Sequence, residues 1–178
     1  VYRPESRKPE VSFADDVESD LVRRDFTVNA MAIEIGDDPV LVDPHGGLED
    51  LLVHRRLRTP QAPELSFADD PLRMMRAIRF ASQLNFSILP ATLQSIAVNK
   101  ERIQIVSAER IADELNKIIL SPVPSVGFKI LFETGLLHLI FPQMAALHGV
   151  ETINGKSHKD NFYHTLQVLD NICPMTQA

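Results

Sequence analysis

The rhythm of apolar positions along the chain changes near residue 60. Before that point, Met31 to Ile35 and Val40 to Val42 are β-favouring runs on either side of Gly36-Asp37-Asp38-Pro39, a turn composition, and the pattern predicts a hairpin. Beyond Pro60 and Pro63 the apolar residues recur with helical spacing. This predicts helices over 67–84, 90–99, 107–120 and 123–133, with shorter ones up to Leu147. Prolines at 90, 122, 124 and 142 punctuate them. Val1 to about Ser19 is charged and carries Pro4 and Pro9, so an extended or poorly ordered lead is expected, with a short helix from about Asp20. Ser121-Pro122-Val123-Pro124 reads as a boundary and 149–155 as a linker. The fold class expected is mainly α with a β-hairpin ahead of the helices, and no internal repeat or low-complexity tract is present.

Two blocks carry candidate chemistry. In Arg23-Arg24-Asp25-Phe26-Thr27-Val28-Asn29, two arginines, a carboxylate and an amide precede an apolar run. Guanidinium forks match phosphate oxygens. Asp25 could accept from a ribose hydroxyl or from a neighbouring arginine, and Asn29 offers both a donor and an acceptor. In Asp69-Asp70-Pro71-Leu72-Arg73-Met74-Met75-Arg76-Ala77-Ile78-Arg79, Pro71 is tolerated in a helix's first turn. Arg73, Arg76 and Arg79 form a slanting stripe there, with Met74, Met75, Ile78, Ala81 and Leu84 opposite. Asp70 and Arg73 can pair within the helix, or present an acceptor and donors side by side to the edge of a base. The plainer alternatives are a surface ion pair and a solvated basic face.

These blocks resemble the class II nucleotidyltransferases, the family of bacterial CCA-adding tRNA nucleotidyltransferases and poly(A) polymerases. Arg23 to Ala32 is similar to the family's nucleotide-binding motif, Leu41-Val42-Asp43-Pro44-His45-Gly46-Gly47-Leu48-Glu49-Asp50-Leu51 to the connection from head to neck, and 69–81 to the base-selecting helix. Ser107 to Leu115 resembles the last neck motif. The resemblance implies that Arg24 and Asp25 contact the ribose and triphosphate with Arg23 and Asn29 in support, and that Asp70 and Arg73 read the base. It also implies that Arg76 and Arg79 neutralise phosphates or brace the site, and that Glu109, Arg110 and Glu114 brace the neck. By spacing alone, Arg110 and Glu114 form an i,i+4 pair with Ser107 as N-cap. Asp69 stands where the family usually has Glu.

The implied reaction adds CMP or AMP from CTP or ATP to the 3′ end of tRNA, with two Mg2+ ions as cofactors. The family grips those ions with an Asp-x-Asp strand behind a Gly-rich turn, and neither is found before Arg23. Asp15-Asp16 and Asp37-Asp38 read as turn or cap residues, and Glu18-Ser19-Asp20 as a helix start. The chain is therefore expected to be part of an enzyme, inactive alone, with the catalytic carboxylates elsewhere. The expected organisation is the C-terminal part of a nucleotidyltransferase head at 1–59, a neck at 60–121, a body at 122–150 and the start of an HD-like helical segment at 151–178.

Composition narrows the remaining choices. With 178 residues, 44% of them hydrophobic, the chain can build a core. The apolar stretch 130–141 is too short to span a bilayer, and the charged residues that follow Val1 do not resemble a signal peptide, so none is expected in this stretch. A single cysteine, Cys173, fits a reducing cytoplasm. The net charge of −6 excludes a uniformly basic nucleic-acid binder but not a local basic groove. His158 to His164 offers too few ligands for a metal, and Asp43-Pro44-His45 is explained by turn chemistry. Alternatives are a poly(A) polymerase of the same family, a non-catalytic helical RNA-binding module, and a phosphohydrolase built around His158 to His164.

Overall fold

The computed structural model of the protein describes residues 16–149, 152–153, 156–157 and 160–176. Residues 1–15, most of the segment expected to be extended, lie outside them. The end of that segment is helical instead: α1 (Val17–Val22) starts at Asp16, whose carboxylate accepts the Ser19 N–H at 2.7 Å and satisfies a first-turn donor. The expected hairpin forms from β1 (Ala32–Glu34) and β2 (Val40–Val42), antiparallel with Ile33 opposite Leu41.

Asp43 then caps the next turn, accepting from Gly47 N at 2.7 Å and Leu48 N at 2.9 Å. That turn, α2 (Gly47–Glu49), widens into a π-helical turn over Asp50–His54, which ends where Arg55 takes a left-handed φ of 48°. The short strand β3 (Arg56–Leu57) follows.

The single helix expected over 67–84 is two helices, α3 (Pro63–Asp69) and α4 (Leu72–Leu84). Asp70 lies between them with φ −143° and ψ 101°, because a residue before proline is driven out of the helical region. Pro71 then opens α4, and Asn85, at a φ of 55°, ends it. Leu84, expected on the apolar arc, is exposed at this end. The strand β4 (Ser87–Ile88) pairs in parallel with β3, a contact between segments 31 residues apart that local pattern does not encode.

Helices α5 (Pro90–Asn99), α6 (Ala108–Ile119), α7 (Pro124–Glu133), α8 (Leu136–Ile140) and α9 (Pro142–Ala145) follow, with a 3-10 stretch over Lys100–Ile105. Helix α4 packs on α6 and α7 and buries Met74, Met75, Ala77 and Ile78 against Phe67, Ile96, Ile118, Phe128 and Leu131. Helices α6 and α7 meet at Gly127, where a Cβ would lie 2.5 Å from Ile118 Cγ2. Part of the expected linker is paired as β5 (Thr152–Ile153) and β6 (Lys156–Ser157). The final helix, α10 (Asn161–Thr176), is capped by Asp160 and packs on α7, burying Phe162 and Leu166.

Candidate functional site

Arg23 to Asn29 form a bend between α1 and β1 that is held from beneath. Phe26 is fully buried and meets Phe80 of α4 edge-on, with ring centroids 5.8 Å apart. Thr27 N donates to Arg58 O at 2.9 Å and Thr27 Oγ1 to Asp50 Oδ2 at 2.7 Å. Asp50 is 0% exposed and also accepts Arg56 Nε and Arg58 Nε, each at 2.6 Å. Burial alone would push this carboxyl up, but the hydrogen bonds from Thr27, Arg56 and Arg58 hold it below the usual carboxylate range. Gly47 presses on the same bend: a Cβ there would lie 2.0 Å from Thr27 O. Of these supports Asp50 was not singled out from the sequence, although an acid six and eight positions before two arginines is a signal that can be read.

The bend delivers Asp25 to α4. Asp25 Oδ1 accepts Phe26 N at 2.8 Å and Asn29 Nδ2 at 3.2 Å, while Oδ2 accepts Arg76 Nε at 2.8 Å and Nη2 at 2.6 Å. Of the two partners open to Asp25, the structure supplies the arginine. Arg24 reaches back one turn to Asp20 through Nε at 2.9 Å and stays exposed.

The basic stripe on α4 is not a solvated face, since each arginine finds a different neighbour. Arg73 Nη1 donates to Ser66 Oγ at 2.9 Å and Nη2 to Arg23 O. Burial pulls its guanidinium below its ordinary value, and the nearby carboxylates of Asp70, Asp25 and Asp69 counter that shift. Arg79 turns to α6, where Nε donates to Glu114 Oε2 at 2.6 Å, and its guanidinium lies 4.0 Å from the Phe80 ring centroid.

The residues expected to brace a neck, Glu109, Arg110 and Glu114, differ from the pairing read from their spacing. Glu114 is taken by Arg79 of α4 and by Lys117 one turn along its own helix, while Arg110 Nη2 reaches Asp70 Oδ2 at 3.4 Å. Ser107 stands at the N-cap of α6 without a side-chain capping bond, and Glu109 is exposed in the first turn, where a carboxylate suits the helix dipole.

Arg23, Arg24, Asp25, Asn29, Asp70, Arg73, Arg76 and Arg110 thus line one cavity of about 500 Å³. Five arginines and two aspartates leave a local excess of positive charge on a chain whose net charge is −6. Arg79 and Glu114 lie behind this lining, and Arg110, expected only as a brace, is part of it. Asp70 Oδ1 accepts Leu72 N at 3.1 Å, which leaves acceptor capacity facing the cavity.

Residues 1–58 match the family described as the poly A polymerase head domain, and residues 85–147 the one described as "Probable RNA and SrmB- binding site of polymerase A". The chain belongs to the class II nucleotidyltransferase family. It is 42% identical over 136 residues to the CCA-adding enzyme of Levilactobacillus brevis, covering 76% of this chain and 34% of that enzyme. Its fold matches the Bacillus stearothermophilus CCA-adding enzyme in complex with CTP at TM-score 0.66 and 40% identity, over 70% of this chain and 31% of the other. The Thermotoga maritima CCA-adding enzyme complexed with tRNA matches at TM-score 0.65 and 30% identity, over 78% and 32%.

The chain therefore spans about a third of the length of the curated relatives it matches. Its mainly helical architecture with a small β element is the fold of this class II nucleotidyltransferase family over the matched region. Among the described residues no three His, Cys, Asp or Glu side chains come together to hold a metal ion. His164 lines a separate cleft with Asp160, Tyr163 and Gln167, and His158 lies outside the described residues. No helix among the described residues is long and apolar enough to cross a membrane.

Proposed function

We propose that this chain holds and selects the incoming nucleotide for a template-independent RNA nucleotidyltransferase that adds CMP and AMP from CTP and ATP to the 3′ end of tRNA. The observation that carries the reading is the shared cavity of Asp70, Arg73 and the Arg23 to Asn29 bend. Relatives whose structures contain CTP, ATP or tRNA support it.

Arg23, Arg24 and Arg76 face the triphosphate, where their guanidinium groups offset its charge and hold the α-phosphate for attack by the RNA 3′ hydroxyl. As the bond from the α-phosphate to the bridging oxygen breaks, the same groups stabilise the charge that moves onto pyrophosphate. Asp25 works mainly through Arg76, whose fork it fixes, and Asn29 keeps a carbonyl for the ribose. Magnesium belongs to this reaction class, but no carboxylate set for it is assembled among the described residues.

Selection follows from the order of donors and acceptors. Cytosine and adenine each present an exocyclic amine beside an unprotonated ring nitrogen, so they fit an acceptor beside a donor. Uracil and guanine present the reverse. Asp70 supplies the acceptor and Arg73 the donor. Titration of the chain with CTP, ATP, UTP and GTP tests the selection, and labelled transfer to tRNA lacking its terminal CCA by the full-length protein tests the reaction. Tight binding of ATP with no binding of CTP would favour poly(A) addition instead.

A further inference from the structure

Arg73 differs from the other two arginines of its stripe in what it touches. Arg76 and Arg79 are each met by a carboxylate at 2.6 Å. Arg73 is held by neutral oxygens: Ser66 Oγ at 2.9 Å and Ser66 O at 3.4 Å on one side, and Arg23 O on the other. A neutral clamp orients a guanidinium without spending its charge. With no carboxylate bonded to it directly, the N–H groups not engaged by the clamp stay available to a ligand.

Ser66 is built to be the fixed side of that clamp. It is 0% exposed in α3 and is not part of the cavity lining. Its N–H donates to Ala62 O at 3.1 Å and its carbonyl accepts the Asp70 backbone N–H at 3.2 Å, so its backbone is tied both to the start of α3 and to the residue that carries the base-facing carboxylate. The same helix end is pinned again at Ala68 O, which accepts Arg102 Nη2 at 2.9 Å. Two anchored oxygens on two different elements, Ser66 on α3 and Arg23 on the bend, define the plane of the Arg73 fork.

We propose that Ser66 is the positioning residue that sets the orientation of the Arg73 guanidinium and, through it, the preference of the cavity for bases bearing an amine beside a ring-nitrogen acceptor; this rests on the base-reading role given above to Asp70 and Arg73. Without the hydroxyl, Nη1 keeps only a carbonyl at 3.4 Å, and the long side chain regains rotamers. An unclamped fork can follow the acceptor of uracil or guanine as easily as that of cytosine. The triphosphate, held by other arginines, does not sense the change.

The test titrates the wild-type chain, Ser66→Ala and Ser66→Thr with CTP, ATP, UTP and GTP, and with tripolyphosphate as a base-free probe. In Ser66→Ala the ratio of the UTP to the CTP dissociation constant falls about tenfold, the worth of one charge-assisted hydrogen bond. Tripolyphosphate affinity stays constant, and Ser66→Thr, which keeps the hydroxyl, restores the ratio. A Ser66→Ala chain with the wild-type ratio overturns the inference. A wild-type chain that binds nucleotides with no preference, or binds none, overturns instead the base-reading role beneath it. If Ser66→Ala does not fold, 15N spectra of wild-type arginine side chains decide: separate, slowly exchanging Nη signals for Arg73 support the clamp, and one averaged signal overturns it.

Discussion

Arg76 grips Asp25 Oδ2 with both Nε and Nη2, at 2.8 and 2.6 Å, and so joins side chains 51 positions apart across the floor of the cavity. Replacing Arg76 with Ala leaves Asp25, only 8% exposed, without its cation. The expected loss is about 2 kcal/mol of stability, below the value for a fully buried pair because Arg76 is partly solvated, together with weaker CTP binding. Arg76→Lys keeps the charge but not the fork and should recover only part of either. Denaturant unfolding and CTP titration of both variants check this.

Arg79 and Glu114 make the contrasting pair. At 12% and 4% exposure they are more deeply buried than Arg76, yet they lie behind the cavity rather than in it. Arg79→Ala should cost about 3 kcal/mol of unfolding free energy, because it leaves a buried carboxylate with only the half-exposed Lys117, at 3.3 Å, as its cation. Its effect on CTP affinity should be smaller than that of Arg76→Ala. The reverse order, measured on the same samples, would place Arg79 on the ligand.

Asp50 predicts an acid-sensitive core. Its folded-state value lies below the ordinary one, so its contribution is complete above the usual carboxylate range and is lost as pH falls through the folded value. Unfolding free energy should therefore drop below about pH 4 in the wild type and less steeply in Asp50→Asn. At neutral pH that variant should be about 3 kcal/mol less stable, since Arg56 and Arg58 lose the charge between them and one of the two acceptor oxygens becomes a donor amide.

Gly47→Ala tests the packing beneath the bend. Its Cβ would meet the Thr27 carbonyl, a backbone atom that cannot rotate aside. The bend must shift, so nucleotide affinity should fall along with thermal stability. Unchanged CTP binding in a folded Gly47→Ala chain would mean that the position of Thr27 does not govern the site.

Much of this arrangement could be read from residue order, and the exceptions have physical causes. The hairpin at 32–42 and the helices beyond Pro63 were legible because their apolar periods differ. The break at Asp70-Pro71 was written in the proline, yet a proline also fits a first turn, and only packing decides which helix it begins. The stripe of Arg73, Arg76 and Arg79 was visible as a stripe. Its division was not, since residues three apart on a helix are rotated by roughly 60° and the side chains fan toward three different elements. Ser66 left no signal in the spacing, for its role exists only once α3 folds back beside Arg73. The link from Arg110 to Asp70 spans 40 positions and was hidden by the more local pairing with Glu114.

The claim on which the rest depends is that Asp70 and Arg73 inspect a base inside the cavity they share with the Arg23 to Asn29 bend. The most direct measurement compares the binding of CTP, ATP, UTP and GTP to the wild-type chain and to Asp70→Asn, whose amide can donate where the carboxylate only accepts. The account predicts that the wild type prefers CTP and ATP, and that Asp70→Asn loses this preference by about tenfold or more while its tripolyphosphate affinity holds. Equal binding of all four nucleotides by the wild type, or an unaltered preference in Asp70→Asn, would contradict it.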